Sequence, residues 1–145
     1  MASTRIVTLD LNFLGRPHAI AAYLIRHADG AVLIESGPGS TLAGLEAGLA
    51  KEGLSPRDVT HVLLTHIHLD HAGAAGWLSQ HGAEVYVHPV GAPHMLNPEK
   101  LIASATRIYG DRMEMLWGEF LPVAEKQLKI PSDAEEIIIG NLRFV

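Results

Sequence analysis

An apolar run, Val62-Leu63-Leu64, stops at Thr65-His66-Ile67-His68-Leu69-Asp70-His71-Ala72-Gly73. Four side chains able to bind a metal, His66, His68, Asp70 and His71, fall within six positions there. With Ala72-Gly73-Ala74-Ala75 following as the start of a helix, the chain must end a strand, turn and begin a helix at this point. In an extended segment, side chains at i and i+2 share one side, so His66 and His68 can grip one ion from one edge. Asp70 and His71 then approach from another direction, which suits two adjacent ions better than one four-ligand cage. Imidazole and carboxylate are ligands that Zn²⁺, Fe²⁺ and Mn²⁺ accept. A structural zinc site would more often use Cys, and the chain has none. The structural alternative is a His-rich exposed loop with Asp70 as a helix cap. The strand–turn–helix setting favours the metal.

Strands come first along the chain, then an alternation. Ile6–Leu11, Ala19–Arg26 and Ala31–Glu35 read as consecutive strands, with Ala28-Asp29-Gly30 as a hairpin turn. After Pro38-Gly39, Ser40 can cap a helix that carries Leu42, Leu45 and Leu49 on one face and ends at Gly53. Ser55-Pro56 restarts a short turn. His61–Thr65 is the buried strand that delivers the metal motif, and one helix is expected from there to His81. Glu84–His88 follows as a strand. A meander followed by βαβ units makes an α/β layered fold. Asn97-Pro98 opens a helix ended by Gly110, and Asp111 can cap another bearing Met113, Leu116, Trp117 and Phe120. These apolar residues at helical spacing are expected to pack on the core, with Tyr109 a candidate substrate contact. The tail, Ile137-Ile138-Ile139-Gly140-Asn141-Leu142-Arg143-Phe144, reads as two strands about a Gly-Asn turn.

The other histidines are expected to be structural. His61 lies in a strand, His81 at a helix end, and His18 and His27 in surface turns. His88 and His94 flank a tight Pro-Gly-Pro loop and would be the first replacement ligands to test.

At 145 residues the chain is long enough to bury a core, and residues 1–145 read as one domain. Apolar content of 48% and charged content of 19% describe a globular chain. A net charge of −5 without a Lys/Arg cluster argues against a nucleic-acid partner. The absence of cysteine fits a cytoplasmic protein. No apolar run approaches the roughly 20 residues of a membrane helix, and no signal-peptide pattern opens the chain.

The pattern Thr65-His66-x-His68-x-Asp70-His71-x-Gly73 resembles the signature of the metallo-β-lactamase superfamily. Val32-Leu33-Ile34-Glu35-Ser36-Gly37-Pro38-Gly39 is similar to that family's strand and glycine turn, normally Asp-Thr-Gly. Glu35 stands where the family has Asp, a departure that bears on the hydrogen bond the shorter carboxylate makes towards the metal loop. Val85-Tyr86-Val87-His88, Gly91-Ala92-Pro93-His94, Ser104 to Asp111 and Leu116-Trp117-Gly118 also resemble bacterial hydrolase-type members. The resemblance implies the N-terminal half of a four-layer αββα sandwich, a mixed sheet with helices on one face. It implies His66, His68, Asp70 and His71 as ligands of one or two Zn ions, with Fe or Mn as other candidates, and Asp70 as the residue that orients the attacking water.

Family members complete their site with a His in a Pro-Gly-His context, a bridging Asp and a final His. No His follows His94 here, so the chain is expected to be incomplete at its C-terminus and to lack activity alone. The implied activity of the longer protein is metal-assisted hydrolysis of a small-molecule ester, thioester, lactone, amide or phosphodiester. The rivals are an iron-dependent oxidoreductase of the same superfamily and a non-catalytic metal-binding or association fragment. Half of a sandwich would leave an apolar sheet face uncovered. Self-association, most simply as a homodimer, or pairing with the missing C-terminal half is therefore expected.

Overall fold

The structure, a computed structural model, describes residues 3–145. Its centre is a six-stranded sheet in the order β1-β2-β3-β4-β5-β6. β1 (Ile6–Asp10), β2 (Ala21–His27) and β3 (Gly30–Ile34) form an antiparallel meander. A two-residue loop, Ala28-Asp29, joins β2 to β3, because His27 pairs directly with Gly30. β4 (Val59–Leu63), β5 (Glu84–Tyr86) and β6 (Leu128–Lys129) then add in parallel. Parallel neighbours need crossovers. These are α1 (Leu42–Lys51) before β4, α2 (Leu69–Ala72) and α3 (Ala75–Gln80) before β5, and α4 (Ala92–Leu96), α5 (Glu99–Tyr109) and α6 (Met113–Trp117) before β6. A second, two-stranded antiparallel sheet is the closing hairpin, β7 (Ile137–Ile139) with β8 (Leu142–Phe144).

Side-chain alternation sorts the sheet into two faces. Ala22, Leu24, Ala31, Leu33, Val62 and Val85 point towards the helices and share one core with Leu45, Leu49, Leu78 and Met95. Ile25 and Val32 point the other way. The expected mixed sheet with helices on one face is therefore present.

The opposite face differs from the expectation that it would lie open. The closing hairpin folds back onto it, and Ile139 and Leu142 bury against Ile25 and Val32, with Ile34, Leu63, Ile137 and Phe144 around them. A local hairpin with one apolar side gains by covering the nearest apolar face. Outside that cover, Ile138 (62% exposed) and Val145 (94% exposed) still face solvent.

Three helix boundaries depart from the sequence reading. Ser40 does not cap α1. Its hydroxyl donates to the Leu116 carbonyl at 2.6 Å, while Thr41 takes the position before the helix and donates to the Pro38 carbonyl at 3.1 Å. Asp111 falls inside a short 3₁₀ turn, Gly110–Arg112, and does not cap α6. The single helix expected after the motif is split into α2 and α3. At the split, the Ala74 N–H donates to the Gly37 carbonyl at 2.9 Å, so the glycine turn after β3 holds the break. By contrast, Gly110 lies directly beyond α5 and Gly53 one residue further past α1, both at positive φ. A side chain resists that conformation and glycine does not.

Candidate metal centre

β4 ends at Leu63, and the Leu64 N–H still bonds the Tyr86 carbonyl at 3.0 Å. The chain then leaves the sheet at its C-terminal edge, where open α/β sheets bind ligands. His68 remains extended (φ −58°, ψ 149°) directly before α2. α2 opens with His71 and Ala72 N–H groups donating to the His68 carbonyl, each at 2.9 Å. Buried Leu69 and Ala72 anchor that turn in the core, which pushes the motif's polar side chains to the surface.

The turn after β3 clamps the loop from beneath. The Ser36 N–H and hydroxyl both donate to the His71 carbonyl, at 2.8 and 2.9 Å. Glu35 is 5% exposed and lies at φ +68°. Its Oε1 accepts the Thr65 N–H at 2.7 Å, and its Oε2 sits 2.5 Å from His71 Nδ1. The hydrogen bond towards the metal loop is thus made by the longer carboxylate, contrary to what the departure from Asp implied. A non-glycine residue in the left-handed region carries about 1–3 kcal/mol of strain, and such strain clusters at functional sites.

The motif's histidines converge. The rings of His66 and His71 lie 4.0 Å apart between centroids, and those of His66 and His68 lie 4.8 Å apart. Asp70 Oδ2 is 3.2 Å from His71 Nε2. The pairing differs from the expected His66–His68 edge opposed by Asp70–His71, because His66 is nearer His71 than His68. The short α2 turn folds His71 back over the loop and so brings the two edges together. Glu35, His66 and His71 each offer a ligand atom within 4.8 Å of one another. Within that group the Glu35 carboxylate already serves Thr65 and His71, so it acts as the support that orients an imidazole.

Support of this kind selects which nitrogen faces outward. With a proton on His71 Nδ1 shared with Glu35, the lone pair is left on Nε2, beside Asp70. Thr65 Oγ1, at 2.8 Å from His66 Nδ1, occupies that nitrogen and leaves His66 Nε2 free. His66 and His71 come together with Glu35, while His68 and Asp70 adjoin that group without joining it, and imidazole and carboxylate are donors that Zn²⁺, Fe²⁺ and Mn²⁺ accept. Glu35's support was within reach of the sequence only as a departure from a pattern, since 36 residues separate it from His71.

The remaining histidines divide as follows. His61 Nδ1 lies 2.7 Å from Thr60 Oγ1 and its Nε2 lies 3.6 Å from Glu84 Oε2, a sheet-face role. His27 ends β2, where its Nε2 lies 2.7 Å from Thr60 Oγ1, so it belongs to the sheet and not to a surface turn. His18 is exposed, its N–H bonded to Asp10. His81 Nδ1 lies 2.9 Å from the Trp77 carbonyl. His88 Nδ1 accepts the Val90 N–H, and His94 sits in α4.

A cavity of about 410 Å³ opens beside the motif. His68 and Asp70 form one side of it, and Leu101, Tyr109 and Trp117 from α5 and α6 line another. Trp117 and Tyr109 also pack on the main core. The region thus packs as expected, and it shapes the space next to His68 and Asp70 as well.

The sequence profile of the Metallo-beta-lactamase superfamily matches residues 15–142. Among solved structures, the chain is similar to a metallo-beta-lactamase family protein from Thermus thermophilus, at 23% identity and a TM-score of 0.71, covering 95% of this chain and 49% of that one. MIM-2 metallo-beta-lactamase is 30% identical with a TM-score of 0.66, over 99% of this chain and 47% of that one. BJP-1, a subclass B3 metallo-beta-lactamase of Bradyrhizobium japonicum, is 18% identical with a TM-score of 0.69, over 99% of this chain and 48% of that one. The chain spans about half the length of these proteins and matches the N-terminal half of their fold. The converging histidines, the supporting turn and the profile match together place the chain in the metallo-beta-lactamase superfamily.

Proposed function

We propose that this chain carries the first half of the metal centre of a metal-dependent hydrolase. The observation that supports it most is the convergence of His66 and His71, with Glu35 and Thr65 orienting their rings. His66, His68 and His71 supply imidazole nitrogens, and Asp70 supplies a carboxylate. A bound Zn²⁺, singly or as a pair, lowers the pKa of water towards neutrality and polarises a carbonyl or phosphoryl oxygen. Asp70 orients the attacking water and accepts its proton. Glu35 and Thr65 hold the ligand rings in one geometry, so little reorganisation is needed at reaction.

The substrate classes that suit such a centre are esters, thioesters, lactones, amides and phosphodiesters. A cytoplasmic setting is supported by the cysteine-free composition. We place the chain within one domain and expect it to self-associate or to pair with further chain through its second sheet face. A second reading is an iron-dependent oxidoreductase of the same superfamily, in which two of the motif's histidines and Asp70 hold one Fe²⁺ and leave positions open for O₂.

Elemental analysis of the purified chain, on the sample whose mass in solution is measured, tests both readings. Near-stoichiometric zinc supports the hydrolase, and iron with oxygen uptake supports the oxidoreductase. His66→Ala should lose the metal and keep the fold by circular dichroism. Full metal retention in that variant would sink the assignment.

A further inference from the structure

We propose that β1 is a dimer interface: a second copy of the chain adds antiparallel to its open edge, about a twofold axis at Thr8, and joins the two six-stranded sheets into one. The inference is independent of the hydrolase reading and concerns the margin of the sheet, not its second face.

The sheet has two margins, and one of them is unguarded. An open edge is a template for pairing unless shortness, a lysine, a proline or a bulge blunts it. β6 is two residues long, includes Lys129 and runs on into Pro131. β1 has five residues, pairs with β2 without a register shift and contains neither proline nor lysine.

The main chain of β1 fixes how a second strand can add. The Leu11 N–H donates to the Ile20 carbonyl at 3.0 Å, in register with the β1–β2 pairs. In an antiparallel ladder, hydrogen-bonded pairs recur at every second residue. The main-chain groups of Leu9 and Val7 therefore turn towards β2, and those of Ile6, Thr8 and Asp10 turn outward. A second β1 centred on Thr8 engages all three. Thr8 meets its own counterpart, and Ile6 meets Asp10 at either end. The faces agree in this register as well. Buried Leu9 and half-buried Val7 continue the helix side of the sheet across the axis.

Charge selects the same arrangement. Exposed Arg5 stands directly before the strand, and exposed Asp10 ends it. Antiparallel pairing sets the basic end of each strand beside the acidic end of the other, whereas parallel pairing would set like beside like. A strand that complements itself in this way is what a twofold interface requires, because both copies present the same surface.

α1 leaves space for the approach. A groove of about 550 Å³ runs between β1 and α1, with Ala43, Gly44, Ala47 and Gly48 along its helix wall. Ala43 and Ala47 are exposed and carry no long side chain that would hold a second copy away from the edge.

Engineered cysteines read the register directly, because the chain has none of its own. Residues opposed in a hydrogen-bonded pair lie about 5.5 Å apart between Cα atoms, within disulfide reach. Thr8→Cys should therefore give a covalent dimer under mild oxidation. Ile6→Cys should not, since its two copies would lie about 14 Å apart at roughly 3.4 Å per residue. Thr8→Lys opposes two ammonium groups at the axis and should weaken the dimer several-fold by sedimentation, with circular dichroism unchanged. Arg5→Glu sets acid beside acid and should act in the same direction, less so as salt is raised. It lies outside the strand and serves if a change at Thr8 disturbs the fold. A monomer at every concentration, equal cross-linking at positions 6 and 8, or a dimer that the folded charge variants leave unchanged would overturn the proposal.

Discussion

Removing the Glu35 carboxylate would leave the Thr65 N–H and the His71 Nδ1 proton without acceptors beneath the metal loop. Each buried donor left unpaired costs about 1–3 kcal/mol. Because His71 is only half-buried, Glu35→Ala is expected to cost roughly 2–3 kcal/mol in urea unfolding. Loss of the support should also weaken metal affinity by about 10–100-fold. Titration of zinc into both proteins checks this, and unchanged affinity would reduce Glu35 to a purely structural group. His61 makes a different prediction. Burial holds its imidazole below the usual range, the Glu84 carboxylate pulls it back up, and His27 lowers it further. The unfolded chain therefore binds this proton more readily than the folded one. Its contribution is complete above the ordinary imidazole value of about 6.5 and is lost as pH falls below it. Urea midpoints at pH 8 and pH 5 should drop less for His61→Gln than for the natural chain. An equal drop in both would assign the acid sensitivity elsewhere. The meeting of His66 and His71 follows from their spacing of a few residues, whereas the role of Glu35 depends on two strands lying side by side.

Gly73 controls how α2 meets the turn after β3. A Cβ added there would lie 2.6 Å from the Leu69 carbonyl oxygen and 2.8 Å from Pro38 Cα, both backbone atoms. Backbone cannot step aside as a side chain tip can, so Gly73→Ala should cost about 1–3 kcal/mol and displace the metal loop. A lowered melting temperature together with weaker zinc uptake would agree. A variant as stable as the natural chain would show that α2 has freedom to shift. Glycine also explains why helix ends were easier to read than helix starts. Gly53 and Gly110 stop α1 and α5 through their own backbone freedom. Ser40 and Asp111 had the chemistry of caps, but a cap hydroxyl is free to choose other partners. Ser40 was taken by Leu116 across the fold.

Ile138, on the outer side of the closing hairpin, and Val145 leave apolar surface facing solvent. The two strands at the sheet margins, β1 and β6, also present open edges, and open edges are templates for pairing. The chain is therefore expected to associate with a second copy at high concentration. Sedimentation across a range of concentrations checks this, and Ile138→Arg should shift the equilibrium towards monomer by placing a charge on the apolar rim. A natural chain that stays monomeric throughout would mean that the hairpin suffices as cover.

By itself the sequence determined the chemistry of the motif's side chains, the opening meander and the strands β4 and β5 with helices between them, and the closing hairpin. These follow from spacing and alternation over a few residues, which a chain carries wherever it folds. Tertiary structure alone decided that Glu35 orients His71, that His66 lies nearer His71 than His68, and that the last hairpin closes over Ile25 and Val32. It also decided that α5 and α6 stand beside His68 and Asp70 to form a cavity. Each of these joins segments far apart in the chain, and packing selects such partners among several that local pattern leaves equally open.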